Sequence, residues 1–110
     1  MIDNFVKKYL EAALWSTMDD YGKPLDKNYS IEHFSKELIQ QAVVDCNKFR
    51  ELSKYNITDN MAHDFWFTRN HHGSGFWDGD YEEEMGNYLT ELSHSFGEMC
   101  FYVSNGKIYY

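Results

Sequence analysis

Side chains that could do chemistry are concentrated in one segment, residues 63–78. The segment carries three histidines, two aspartates, one arginine and a Gly-Ser-Gly turn. Histidine and carboxylate groups bind metals or move protons, and an arginine beside a glycine-rich turn can hold a phosphate. Two hypotheses follow, a metal site and a site for a small anionic ligand or nucleotide. The candidate ligand-binding residues are His63, Asp64, Arg69, Asn70, His72, Trp77 and Asp78.

The spacing of these residues matches no established catalytic or metal-binding motif. On a helix His63 and His71 lie about 80° out of register, and an HExxH pattern is absent. The Gly-Ser-Gly turn fits neither the dinucleotide fingerprint nor the P-loop, and Ser74 is not in a nucleophile elbow. Neither Cys46 nor Cys100 has a recognisable partner motif. We therefore assign no catalytic residue, metal or cofactor.

The same segment also supports a purely structural interpretation. Arg69 can stack on Phe65 one helical turn back. Asn70 and His72 can hydrogen-bond the carbonyl groups left free at a helix end. The aromatic pair at 76–77 would then anchor the core. In this interpretation the segment is a folding signature and not a site.

A strongly acidic stretch follows directly. Residues 78–98 contain seven acids and no Lys or Arg, whereas the rest of the chain is nearly neutral, and the formal net charge is −8. Direct nucleic-acid binding needs clustered basic residues, so we do not expect it. The stretch is either a solvated helix face or a surface that meets a basic partner. The candidate partner-binding residues are Asp80, Glu82, Glu83, Glu84 and Glu91.

Length and composition bound the class of protein. The 110 residues, 18% of them aromatic, predict a single domain over 1–110 with a real core. No apolar run approaches the length that spans a membrane, and the N-terminus does not resemble a signal peptide. We therefore expect a cytoplasmic protein with no membrane contact. Cys46 and Cys100 are expected to be reduced and buried.

Hydrophobic periodicity predicts four helices. The first covers about 3–18, with Asp3 as its cap, and the second runs from about Ser35 to residue 54. Residues 31–34 are interpreted as an extra turn. The third helix starts after residue 58 or 59 and ends near Gly73, and three consecutive aromatic residues make it the central element. The fourth covers about 81–96, is capped by Asp78 or Asp80, and is weakened by a glycine at position 86.

Two short apolar stretches at the C-terminus flank Asn105-Gly106. This pair favours a type I′ turn, because both central residues of that turn need positive φ. The sequence therefore predicts a hairpin packed on the helices. The expected fold class is α+β, with about four helices and a C-terminal antiparallel β-hairpin.

The chemistry-bearing segment also resembles a known motif. The motif reads His-Asp-Phe-Trp-x-Thr-Arg-Asn-x-His-Gly-x-Gly-Phe-Trp-Asp, and it resembles that of small uncharacterised proteins of phages and mobile elements. The matching positions are 63–66, 68–70, 72–73 and 75–78, and His71 falls on a variable position. Similar stretches occur at Ala13-Leu14-Trp15-Ser16 with Asp19-Asp20, and at Gly106-Lys107-Ile108-Tyr109. The resemblance implies a phage or mobile-element origin and transfers no activity.

These features lead to one functional hypothesis and two alternatives. The first is a small acidic accessory protein of a phage or mobile element, acting in the host cytoplasm by binding a host protein with a basic surface. Its most specific form is a counter-defence inhibitor of the anti-CRISPR or anti-restriction type, whose partner is a nucleic-acid-binding defence protein. The first alternative is a protein that binds or hydrolyses a small molecule or nucleotide through residues 63–78. The second is a virion or host-takeover component.

Overall fold

The computed structural model of the chain describes residues 2–19, 21–72 and 74–110. Within these ranges it has four α-helices, α1 (Asn4–Ser16), α2 (Lys36–Leu52), α3 (Met61–Arg69) and α4 (Glu83–His94). Two 3₁₀ turns, Leu25–Lys27 and Ile31–His33, connect α1 to α2. The chain ends in an antiparallel hairpin of β1 (Tyr102–Ser104) and β2 (Lys107–Tyr109). The fold is therefore α+β with a C-terminal hairpin, as predicted.

Local sequence signals explain where the first two helices begin. The Asp3 carboxylate accepts a hydrogen bond from the backbone N–H of Val6 at 2.9 Å, which caps α1. The Ser35 hydroxyl accepts one from the backbone N–H of Leu38 at 3.1 Å, which caps α2. Both caps were predicted. At the hairpin turn Asn105 and Gly106 have φ of 51° and 78°, as a type I′ turn requires.

The central helix, α3, lies against both α1 and α4. Phe65 and Trp66 are buried, and the Phe65 ring stacks on Phe49 of α2 with centroids 4.1 Å apart. The Trp66 indole N–H donates to the hydroxyl of Ser16 on α1 at 2.8 Å. The aromatic run of α3 thus joins three helices, which explains why a helix with little amphipathic character is stable here.

Several local expectations were wrong. The helix α3 ends at Arg69, four residues before the predicted end near Gly73, and the left-handed residue after it is His71, with φ of 56°. Gly73 itself lies outside the described residues. The N-cap position of α4 is held by Glu82 and not by Asp78 or Asp80. Cys46 is buried as expected, but Cys100 is exposed.

Gly86 has a packing role that sequence reasoning did not anticipate. A Cβ atom at this position of α4 would lie 2.6 Å from the backbone carbonyl oxygen of Phe76. Phe76 is itself buried and stacks on Phe49, with ring centroids 5.9 Å apart. The glycine therefore lets the 74–81 loop approach α4 closely, and its low helix propensity is the cost of that contact.

Candidate functional site

Arg69, the segment's only basic residue besides the histidines, points into the protein. Its side chain is 4% exposed, and its Nη1 atom donates to the Asp45 carboxylate and to the Tyr9 hydroxyl, each at 2.8 Å. Its Nε and Nη2 atoms donate to the carbonyl oxygens of Gly97 and Phe96, at 2.8 and 3.0 Å. The guanidinium also lies over the rings of Phe65 and Phe96.

This network ties four parts of the chain together. Burial alone would disfavour the charged guanidinium, but Tyr9 and Asp45 outweigh it and raise the pKa of Arg69. Burial also raises the pKa of the Tyr9 hydroxyl, so that group stays neutral. Four of the five guanidinium N–H donors are occupied. The guanidinium is therefore engaged with the protein's own groups, and this geometry favours the structural interpretation of Arg69 over a role in ligand binding.

The residues after Arg69 close the helix. The backbone N–H of His71 donates to Thr68 and that of His72 donates to Phe67, at 3.1 and 2.9 Å, which forms a Schellman motif. The Asn70 amide nitrogen donates to the carbonyl of Trp66, and its oxygen accepts from the backbone N–H at position 99. Both polar atoms of the Asn70 side chain therefore hydrogen-bond the protein's own backbone.

His72 closes the helix through its backbone, and its side chain lies elsewhere. Its half-buried ring packs edge-on against the Phe67 ring, with centroids 5.6 Å apart. The expectation that the His72 side chain would hydrogen-bond a freed carbonyl is not what the structure shows. The ring instead lines a surface hollow together with Ser74, and it stays a candidate for ligand contact.

Asp64 is half-buried beside the loop that carries the acidic residues. The Tyr81 hydroxyl donates to its carboxylate at 2.6 Å. Burial raises the pKa of Asp64, the hydrogen bond from Tyr81 lowers it, and the nearby charges of Asp78 and Asp80 raise it further. The net shift is upward. Asp64 thus lies close to other carboxylates, and its hydrogen bond from Tyr81 ties α3 to the loop before α4.

Trp77 and Asp78 lie on the surface. Trp77 is 43% exposed, so it is not the core anchor that the structural interpretation expected, whereas Phe76 is buried. The Asp78 carboxylate accepts a weak hydrogen bond from the backbone N–H of Gly75 at 3.3 Å and is otherwise exposed. Both residues remain accessible to a ligand or partner.

The five acidic candidates all face solvent. Asp80 and Glu82 precede α4, Glu83 and Glu84 form its first turn, and Glu91 lies two turns further along. In the described part of the chain none of these carboxylates makes an ion pair. Acids at a helix N-terminus are favourable for the helix itself, which accounts for some of the pattern. The helix dipole does not account for all five carboxylates, which together form a negative surface without basic partners among the described residues.

A groove that sequence reasoning missed lies between α1 and α3. It has a volume of about 470 Å³ and is lined by Glu11, Trp15, Asp26, His63 and Phe67, among others. The Trp15 and Phe67 rings lie 5.7 Å apart, and Trp15 is 61% exposed. A signal existed in the sequence, because Trp15 falls outside the apolar stripe of α1, and a large aromatic residue off the stripe must face solvent or a partner.

The described residues contain no group of three or more His, Cys, Asp or Glu side chains placed to hold a metal ion. None of the helices in these ranges is long and apolar enough to cross a lipid bilayer. Comparison with protein-family models, with curated proteins and with solved structures finds no match to the chain. The candidate surfaces therefore have to be interpreted from their own chemistry.

That chemistry divides residues 63–78 into two sets. Arg69 and Asn70 serve the interior, and Asp64 holds the loop through Tyr81. His63, His72, Trp77 and Asp78 stay at the surface. Arg69 is the only arginine in this segment, and because it faces the interior it does not offer its charge to an anionic ligand at the surface. The geometry therefore argues against the nucleotide hypothesis.

Proposed function

We propose that this chain is a small acidic accessory protein of a phage or mobile element that acts by binding a host protein with a basic surface. In its most specific form it is a counter-defence inhibitor, of the anti-CRISPR or anti-restriction type, in the cytoplasm of the host cell. Its partner is then a nucleic-acid-binding protein of the defence system, whose basic surface the inhibitor covers. The chain itself does not bind nucleic acid.

The observation that carries the binding role is the acidic surface at the start of α4. The carboxylates of Asp80, Glu82, Glu83, Glu84 and Glu91 are exposed and unpaired within the described residues. A surface of one sign steers and orients a partner of the opposite sign, and it suppresses other partners. A nucleic-acid-binding protein must present a basic surface, so it is a partner of suitable charge.

The counter-defence role has a different support. It rests on the resemblance of residues 63–78, and of the shorter stretches near residues 13 and 106, to proteins of phages and mobile elements. Such elements must evade host nucleases, and covering a nuclease's nucleic-acid channel with carboxylates is a direct way to do so. The acidic surface fits this role without requiring a catalytic centre.

The test is a charge reversal with a matched control. The variant E82K/E83K/E84K changes the acidic surface, and E32K/E37K/E51K changes net charge equally at three other exposed glutamates. Each is expressed in bacteria that carry a defined CRISPR or restriction system, and the plating efficiency of a targeted phage is measured. We expect the native chain and the control to restore plating, and the α4 variant to lose this effect.

Two results would contradict the proposal. If the native chain protects phage from none of the defence systems, the counter-defence role is wrong. If both triple variants protect as well as the native chain does, the acidic surface is only a solvated face. Far-ultraviolet circular dichroism checks that the α4 variant is folded, since reversing charges in the first turn loses about 0.3–1 kcal/mol per helix-dipole interaction.

A further inference from the structure

The groove between α1 and α3, here called the Trp15 groove, combines two kinds of side chain. Trp15 and Phe67 form an aromatic pair with centroids 5.7 Å apart and an interplanar angle of 57°. The carboxylates of Glu11 and Asp26 line the same groove, and His63 lies at its α3 side. Glu11 precedes Trp15 by one helical turn, and His63 precedes Phe67 by one turn, so both helices present an i, i+4 pair to the groove.

This combination is suited to an organic cation. The face of an indole ring attracts a cation, and a carboxylate beside it supplies a charge-assisted hydrogen bond. A planar guanidinium can use both at once, by stacking on the ring and donating along its edge, whereas an ammonium group is more strongly hydrated. Arginine therefore fits the Trp15 groove better than lysine does.

The groove is open to such a group. Trp15 is 61% exposed, although tryptophan is among the residues that bury the most area. Neither Glu11 nor Asp26 makes an ion pair with any described residue. Two uncompensated carboxylates also make the groove unfavourable for an anion or a purely apolar segment.

The groove also lies near the acidic surface. The Tyr81 hydroxyl donates to the Asp64 carboxylate at 2.6 Å, so the loop that carries Asp78 and Asp80 meets α3 next to His63. His63 lines the groove, and Asp80 begins the acidic surface. One partner could therefore contact both, with its basic residues distributed over the two areas.

We infer that the Trp15 groove binds an arginine side chain of the partner, stacked on Trp15 and hydrogen-bonded to Glu11 or Asp26. The inference rests on the proposed binding function and names the part of the partner that enters this groove. Tryptophan and arginine are the residue types that most often dominate interface energetics. The Trp15 groove would thus give the interface its anchor, and the acidic surface would give it attraction at longer range.

The test needs no natural partner. The probe is the peptide acetyl-Gly-Arg-Gly-amide, and its control carries citrulline, a neutral isostere, in place of arginine. Each is titrated into the ¹⁵N-labelled full chain while the indole N–H resonance of Trp15 is followed, assigned by its absence from a Trp15→Phe variant. We expect a saturable shift with the arginine peptide and roughly 2- to 30-fold weaker binding of the citrulline peptide, the range of a cation–π contact.

Variants of the chain locate the binding. Glu11→Gln with Asp26→Asn should weaken arginine-peptide binding roughly fivefold or more, since each removed charge at about 4 Å is worth about 1 kcal/mol in water. Met18→Ala is the control, because Met18 is 56% exposed and lines a neighbouring hollow at Trp15 but not the groove itself. It should leave the affinity unchanged.

Equal shifts with the two peptides, or an affinity that survives Glu11→Gln with Asp26→Asn, would overturn the inference. The acidic-surface variant E82K/E83K/E84K separates this failure from that of the proposed function. If it abolishes phage protection while the arginine peptide does not bind the native chain, only the Trp15 groove inference is wrong.

Discussion

Replacing Arg69 by alanine tests whether the most conspicuous polar residue of the motif-bearing segment is structural. In the native fold its guanidinium donates hydrogen bonds to the Asp45 carboxylate and the Tyr9 hydroxyl, each at 2.8 Å. It also donates to the backbone carbonyls of Phe96 and Gly97. Alanine removes all four hydrogen bonds. It leaves a carboxylate inside the protein without its cation.

The expected loss follows from that unpaired carboxylate. The Asp45 side chain is 12% exposed, and its remaining hydrogen bond comes from the Gln41 amide at 2.8 Å. Removing one partner of a buried ion pair typically destabilises a protein by about 3–5 kcal/mol. Since domains are stable by about 5–15 kcal/mol, the Arg69→Ala protein should be marginally folded.

The assay is equilibrium unfolding in urea, followed by far-ultraviolet circular dichroism. Arg50→Ala is the matched control, because Arg50 also pairs with an aspartate, Asp3, at 2.9 Å, but at the surface. Surface pairs contribute about 0–1 kcal/mol, so the control should remain near native stability. Asp45→Asn in the Arg69→Ala background should recover part of the loss, because it removes the buried charge.

The reasoning would be refuted if Arg69→Ala lost no more than Arg50→Ala does. A stable Arg69→Ala protein that no longer protected phage would return Arg69 to the list of ligand-binding residues. A destabilised protein whose activity fell only in proportion to its folded fraction would confirm the structural role.

Three further predictions concern single positions. His71→Gly should stabilise the fold by about 0.5–1 kcal/mol, measured as the urea midpoint, because His71 has φ of 56°, which glycine adopts without strain. Gly86→Ala should destabilise it by about 1–3 kcal/mol in the same assay, because the new methyl group meets the Phe76 carbonyl at 2.6 Å, despite the better helix propensity. The third prediction concerns pH. Because the pKa of Asp64 is raised in the folded protein, its protonation stabilises the fold fully below pH 3.8, and this stabilisation is lost as pH rises through the raised pKa. Asp64→Asn should therefore become more stable relative to the native protein as pH rises, measured as the free energy of unfolding between about pH 3.5 and 7.

The Gly86→Ala prediction has a neighbouring control on the same helix. Asn87 is exposed beside Gly86 on α4, so Asn87→Ala should raise stability by a few tenths of a kcal/mol through helix propensity alone. His94 packs on His71 with ring centroids 4.4 Å apart, and a His71→Gly protein less stable than native would mean that this contact outweighs the backbone strain.

Much of the fold follows from local rules that act within a few residues. Asp3 and Ser35 cap their helices, and Asn105-Gly106 turns the hairpin, because each depends only on short-range hydrogen bonds or backbone sterics. The end of α3 does not follow from such rules. Glycine is the usual left-handed residue, but His71 takes that conformation here, and Asn70 is held by the C-terminal segment 29 residues away.

Residue types in the motif could be identified from the sequence, but which way each side chain faces could not. Arginine is almost never buried without a partner, so Arg69 can be buried only because Asp45 of α2 and Tyr9 of α1 lie beside it. The spacing of these residues along the sequence does not show that their side chains are in contact. The groove at Trp15 was missed for the same reason, since its other wall belongs to α3.

Inward-facing and outward-facing residues differ in what their replacement would change. Residues that face inward from α3, above all Trp66 and Arg69, connect it to α1, to α2 and to the segment after α4. Their replacement would therefore disturb several elements at once. Residues on the outer side, such as Trp15, His63 and Glu84, contact solvent and can change with little effect on folding. The inward residues thus hold the Trp15 groove and the acidic surface in place, while the residues of those surfaces can change without disturbing the fold.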